Sequence, residues 1–586
     1  MARAVTFVEP KQIAAGSKAS FRFLFVTDIP LPQKTLIRFD LGIHDAVKDF
    51  EIPTTNLKEQ QNCIWLSLSD GKTVEGKQKK DLQGRPVFDF VLPKGLEVGD
   101  KLMIVLGSQI AEKAKEFGTR APLKAQRKRP IYLYVDPKGK GDFTDPYTFN
   151  LDIKGAELKN IRILAPSLVS RNQRFDVVIR FEDEYSNLTS NAPKDTLIEF
   201  SHDRLRDNLK MRLFVSESGV TCLPNLYFNE PGVYRLSFTN TLTHEVTQSH
   251  PIFCQAEEGD QAFYGLFQGM KPLEKSVESP DQVEAILREA RDTHHLQFFS
   301  LSPNDNENET SNELWKEIQT YTAEFNEEDR FVTFLGFTYQ SQEAQEGPKI
   351  ILYSKDQKPI YRRKESKSSS FSKILKAHVP KDFFAISVDP STKLVEEFEK
   401  GVVYHPDKHD AIFKLYDEGK KFALIGEDLT CILANQLNRD TLIQAIEQRK
   451  TFASSKARML AQLFIATQPI GSVLNTKSRP GLMYVRHLKG FIAGTQPFKE
   501  LVIYRNDEPI ITLKDLDSFV EFEEYDEVKL DPSLKFEHQG IRFCYYYLKA
   551  VQTDGSYLIT SPIFIEDNAH TEDEEPIVKK KPANKK

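Results

Sequence analysis

The 586-residue chain has few of the residues that staple or anchor a fold. Its five cysteines, Cys63, Cys222, Cys254, Cys431 and Cys544, are scattered with no C-x-x-C pair. That odd, unpatterned count speaks against a disulfide framework and fits reduced thiols. No apolar run reaches the ~18 residues a membrane span needs, so no transmembrane segment is expected. The opening "MARAVTFVEPKQIAAGSK" lacks the apolar core of a secretory signal. The expected location is the cytoplasm, with non-standard export left open. Positive charge is not in excess: the formal net charge is −6, which argues against nucleic-acid binding as the main task. What is present is a globular balance, with 28% charged and 40% hydrophobic residues. The length suits about four domains.

Residues 1–155 read as an N-terminal β domain. "FRFLFV" (21–26) and "IRFDLGI" (37–43) are short, aromatic-rich runs bounded by Pro and Gly. "VFDFVLPKGLEVGDKLMIVLG" (87–107) reads as two strands joined by a Gly/Pro turn. Residues 156–256 carry more short strand candidates, at the spacing of an immunoglobulin-like β-sandwich. Within them "EPGVYRLSF" (230–238) has the Gly-x-Tyr entry of a tyrosine corner. Each β unit reads first as a structural module, because fold alone assigns no function. The basic stretch "RAPLKAQRKRP" (120–130) has no interleaved aromatics and reads as a solvated loop.

From 257 to 458 strands alternate with helices. "SPDQVEAILREARD" offers Ser279 as N-cap, Pro280 at the first helical position and Gln282 at the third, a capping box. Val283, Ile286, Leu287 and Ala290 then share one helical face. A strand is expected over 296–301, and a helix from about 310–313 that turns Leu314, Ile318 and Tyr321 inward. Further strands ("FVTFLGFTY", "KIILYS", "FFAISVD", "FALIGED") interleave with helices, the last of them capped by Asn438. Such alternation predicts parallel βα units with chemistry at the C-terminal strand ends. The Ser- and Lys-rich "YRRKESKSSSFSK" (361–373) reads as a mobile insertion over those ends. Residues 459–566 return to β, with hairpin turns at Asn506-Asp507 and Asp554-Gly555. The charged stretch 567–586 is expected to be disordered.

A metal hydrolase on this scaffold needs His, Asp and Glu at several strand ends. The strand ends offer Asp305, Asp389, Glu427 and Asp428, and no histidine. The chain resembles the bacterial domain-of-unknown-function 3604 family, related to the polymerase-and-histidinol-phosphatase (PHP) metal hydrolases. The resemblance spans nearly all of residues 1–566 and is most specific over "TLIQAIEQRKTFASSKARM". It implies a distorted β/α barrel preceded by two β domains and followed by a C-terminal β region, and hydrolysis with bound divalent metals.

The family's ligand positions fall on other residue types here. Its Gly-Asp-Leu-His pattern falls on Gly265, Leu266, Phe267 and Gln268, and its next ligand position on Met270. Its Thr-Asp-His pattern falls on Ser302, Pro303 and Asn304, and its Gly-Tyr-Glu-Trp pattern puts Thr338 where the acid stands. Its Gly-His pattern puts Pro348 in place of the histidine. Its Pro-His pattern falls near Val388-Asp389, and its Ser-Ser-Asp-x-His pattern keeps Asp428. A catalytic zinc site takes about three protein ligands and an open position. Losing four or five ligands removes the Lewis acid and its activated water. The implied protein is therefore a catalytically degenerate PHP-like pseudoenzyme acting as a binding or scaffold protein. It has no expected cofactor, and an unknown protein or a small anionic ligand is its partner.

A second reading stays open. Asp389, His405, His409 and Asp428 could form a remodelled divalent-metal site of a phosphoesterase-like hydrolase. His405 and His409 stand four apart in "YHPDKHD" (404–410) and would share a helical face. Against this, Pro406 and Asp407 suit a helix start, which would leave His405 ahead of it.

Overall fold

The strand Phe21–Val26 buries Phe21, Phe23 and Phe25 completely and turns Arg22 to solvent. That period of two builds the whole N-terminal unit in the computed structural model, which describes residues 5–81, 84–108, 117–143, 145–193, 196–202, 211–267, 280–377, 383–392, 398–455 and 457–567. A five-stranded and a six-stranded sheet enclose one core, in which Phe23 meets Phe39 and Phe149 at 4.9 and 5.4 Å. Each fully buried Phe contributes about 1.5–3 kcal/mol. The basic stretch expected to be a loop instead enters the strand Gln126–Asp136, where Arg129 is buried and lies 3.0 Å from Asp49.

Residues 160–255 form three small sheets around a second core. The Tyr234 hydroxyl donates to the Glu230 carbonyl at 2.8 Å, the bond of a tyrosine corner.

The rest of the chain departs from the expected barrel. Strand accounts for 46% of the structure and helix for 12%, and among the described residues no barrel closes. In one large sheet, Gln261–Leu266, Phe298–Phe299 and Val332–Thr333 run parallel. The same sheet continues antiparallel through Leu429–Ala434 and Thr451–Ser454 into the C-terminal strands Tyr557–Thr560, Ile541–Gln552, Phe498–Arg505 and Glu508–Leu516. A second sheet orders Leu335–Gln340, Pro348–Tyr353, Phe383–Ser387, Glu399–Tyr404 and Ala423–Gly426, with only the last two junctions parallel.

Loop length explains the correction. The connection 341–347 between Leu335–Gln340 and Pro348–Tyr353 is a hairpin's length, whereas a parallel crossover takes a dozen or more residues. The break between Ala423–Gly426 and Leu429–Ala434 is sharper still, because the two strands lie in different sheets. A Cβ on Gly426 would sit 1.8 Å from the Leu429 carbonyl oxygen, so only glycine fits this corner. The β/α barrel, and with it the PHP, hydrolase-like and pseudoenzyme descriptions, is not supported by this architecture.

Among the described residues helices are few and short. Ser311 caps Asn312–Phe325 by accepting from the Leu314 amide, and Asn438 caps Arg439–Glu447 by accepting from the Thr441 amide. Val283, Ile286, Leu287 and Ala290 are buried together, while Ser279, Gln268, Met270 and 568–586 lie outside the described residues. Among the described residues no helix is long and apolar enough to cross a membrane.

Candidate functional site

Among the described residues, the positions matched to the family's ligand pattern do not surround a polar centre. Leu266 is buried at the end of its strand, and Phe267 follows it with no exposed surface. Phe267 meets Phe298 at 4.9 Å and Phe334 at 5.5 Å. Phe384, Ile386, Val403, Ile425 and Ile432 complete a hydrocarbon core shared by the two sheets.

The polar groups nearby serve the backbone or one another. Ser302 Oγ donates to the Phe267 carbonyl at 2.6 Å, and Thr338 Oγ1 donates to the Ser302 carbonyl at 2.9 Å. The Pro303 carbonyl accepts from the Thr338 amide at 2.8 Å, and Asn304 Nδ2 donates to Glu309 at 2.6 Å. Pro348 opens its strand. Asp305 is buried, and desolvation pushes its carboxyl above the usual range although it accepts from the Arg363 amide.

Three of the four residues of the remodelled-site reading are engaged by other partners. Asp389 accepts from the amide and hydroxyl of Ser391; desolvation alone would raise its pKa, but these bonds together with the nearby Lys408 and Lys349 lower it. His405 precedes the turn Pro406–Lys408, accepts from the Asp407 amide and lies 3.4 Å from Glu427. His409 Nε2 lies 3.0 Å from Asp507 Oδ1, and its Nδ1 lies 3.3 Å from the Tyr404 hydroxyl. Asp428 and Glu427 add to the burial that pushes Tyr557 up to about 12. Among the described residues no three His, Cys, Asp or Glu side chains gather as a metal ion would require.

The 361–373 segment is packed down rather than a free insertion. Glu346 accepts from the Phe371 and Ser372 amides and from the Ser341 and Ser372 hydroxyls. Ser368 and Ser370 are buried behind it, and the Tyr339 hydroxyl donates to the Ser368 carbonyl at 2.7 Å.

A different place has the shape of a binding site. A groove of about 760 Å³ opens where the sandwich meets a separate four-stranded C-terminal sheet, ordered Gln468–Pro469, Leu460–Ile465, Arg486–Ala493 and Phe519–Asp526, a size typical of ligand pockets at ~300–1,000 Å³. Its floor is Phe253 of Ile252–Gln255 stacked on Phe491 of Arg486–Ala493, with centroids 4.1 Å apart. Strand register sets Gln462, Phe491 and Glu521 abreast on one face, then Phe464, Lys489 and Glu523 in the next row. His487 Nε2 lies 2.8 Å from Glu523 Oε1, and its ring stacks on Tyr525 at 4.8 Å. An aromatic floor with an ionic rim can hold an apolar group and fix its polar edges.

Relatives match this chain along its length. A protein of Chlamydia trachomatis serovar D, described as uncharacterized, is 35% identical, and the match covers 97% of this chain and 100% of that one. The chain belongs to that family. A Chlamydia pneumoniae protein with the same description is 34% identical over the same shares. No family model matches the chain. Among solved structures, a β-glucuronidase of Parabacteroides merdae covers 94% of this chain and 78% of its own at 8% identity, with a TM-score of 0.23, too low to assign a fold.

Sequence reading missed the groove because its walls come from segments more than two hundred residues apart. The one local signal was "FVEFEEYDE" (519–527), where aromatics and carboxylates interleave on a strand.

Proposed function

We propose that the chain is a binding or scaffold protein that seats a partner in the groove between the sandwich and the C-terminal sheet. The stacked Phe253–Phe491 floor under a charged rim carries this reading. Apolar contact with the floor supplies affinity, and His487, Lys489, Glu521 and Glu523 set orientation. Of the two expected kinds of partner, a polypeptide suits the groove better than a small anion, because two exposed carboxylates, Glu521 and Glu523, face it.

Selection of displayed random peptides against the full chain, with Lys489→Trp as the counter-target, tests this. Lys489 is exposed and lines the groove, so the indole fills the groove without disturbing the core. Peptides that bind the parent at least about tenfold more tightly than a variant of unchanged melting behaviour support the proposal. Peptides indifferent to Lys489→Trp count against it.

A further inference from the structure

The strand Phe519–Asp526 is an edge. It pairs over eight residues with Arg486–Ala493, and among the described residues no other strand joins it. Its outer row of N–H and C=O groups is a template for another strand. Alternation places Glu521, Glu523 and Tyr525 on the groove face and Val520, Phe522, Glu524 and Asp526 on the other. Glu521, Glu523 and Tyr525 are exposed, and Glu527 just beyond is exposed too.

We infer that this edge takes an extended, basic segment of a partner polypeptide as an added strand. The inference rests on the groove reading and names the partner for it. Main-chain hydrogen bonds along the edge supply the affinity, and alternate side chains supply the choice. On the groove face the neighbours of an added strand are Glu521 and Glu523, so Lys or Arg belongs at those alternate positions. Between them, apolar residues lie beside Val520 and Phe522. A second copy of the same edge would set Glu against Glu, which is unfavourable across strands. Charged edges also serve as guards against any pairing. A guard repels strands in general, whereas a receptor selects one pattern of charge.

The probe is a labelled peptide of about twelve residues alternating Lys and Val, compared with one alternating Glu and Val and with a Lys–Val peptide carrying Pro at alternate positions. Binding to the full chain is read by anisotropy, and amide exchange is read over 519–526. The Lys–Val peptide is expected to bind and to slow exchange there. The Glu–Val and Pro peptides are expected to bind at least about tenfold more weakly, and Glu521→Lys with Glu523→Lys to reverse the charge preference. Equal binding of the Pro peptide, or unchanged exchange, overturns strand addition and leaves only charge adsorption. Selected peptides that respond to Lys489→Trp without protecting 519–526 would keep the groove and remove the added strand. Protection of 519–526 that persists in Lys489→Trp, with no groove-dependent peptides found, would keep the edge and remove the groove. Binding seen only after Lys579, Lys580 and Lys581 are changed to Glu would give the edge to the chain's own tail and overturn the partner assignment.

Discussion

Lys349 Nζ lies 2.6 Å from Glu399 Oε1, and neither side chain has exposed surface. The pair joins the strands Pro348–Tyr353 and Glu399–Tyr404 across the strand between them, with the ammonium 5.4 Å from the centre of the Phe371 ring. Removing one partner strands a buried charge, at a cost of about 3–5 kcal/mol, while replacing both with apolar residues is often neutral. Lys349→Met and Glu399→Leu should each destabilise, and the double variant should recover most of the loss. Trp315, buried in Asn312–Phe325, reports this half of the chain in urea unfolding once Trp65 is changed to Phe. A double variant as unstable as the sum of the singles would refute the pairing.

The hydrocarbon centre between the two sheets makes a second expectation. A native-state metal at ~100 times its Kd adds about 2.7 kcal/mol of stability. The melting midpoint should stay put on adding Mn²⁺ or Zn²⁺ and on adding a chelator. An upward shift that disappears in His409→Ala or Asp428→Asn would revive the remodelled metal site. Phe334→Ala, by contrast, should cost about 3–5 kcal/mol, because Phe334 fills the gap between Phe267 and Phe384.

Thiol chemistry gives a third. Cys222 is exposed, and Cys63, Cys254, Cys431 and Cys544 are buried. Burial raises each of the shifted thiols, Cys544 to about 12. One thiol should react with an aromatic disulfide reagent in the native protein, and five after denaturation. Two or more fast thiols would mean that a core opens readily.

Local chemistry was readable from residues alone. The Asn438 cap, the inward face of Val283, Ile286 and Leu287, and the Asn506-Asp507 turn, where both residues take positive φ, depend on neighbours a few positions away. Strand order was not readable. Whether Leu429–Ala434 runs with or against Gln261–Leu266 depends on a partner about 170 residues distant. Ser368 and Ser370 looked like a loose tract because no sequence rule foretells that Glu346 would gather the amides beside them. The groove needs the sandwich docked on the C-terminal sheet before it exists at all.

The segment 292–294, which bonds both to the sandwich and to Arg458 just ahead of the groove sheet, is a joint that carries a pH dependence. Arg162 Nη1 donates to the Thr293 carbonyl at 2.9 Å, Arg458 Nη2 to the His294 carbonyl at 3.3 Å, and Arg180 to the Asp292 carbonyl. Beside this joint, His250 and His295 keep buried Nε2 atoms without hydrogen-bond partners. Desolvation, with Arg458 near, pushes His250 down to about 4. Desolvation, with Arg180, Arg162 and Arg458 near, pushes His295 down to about 2. Both are neutral when folded, whereas the unfolded chain protonates them near pH 6.5. Below that pH the unfolded state binds more protons, so stability is full above about 6.5 and falls by up to about 1.4 kcal/mol per pH unit for each histidine. The fall from His250 levels off near pH 4, and that from His295 continues lower. The melting midpoint should therefore drop between pH 6.5 and 5, before most carboxylates titrate, and peptide capture in the groove should weaken with it. His250→Gln and His295→Gln together should flatten that drop. A double variant that keeps the parent's slope would place the acid sensitivity elsewhere.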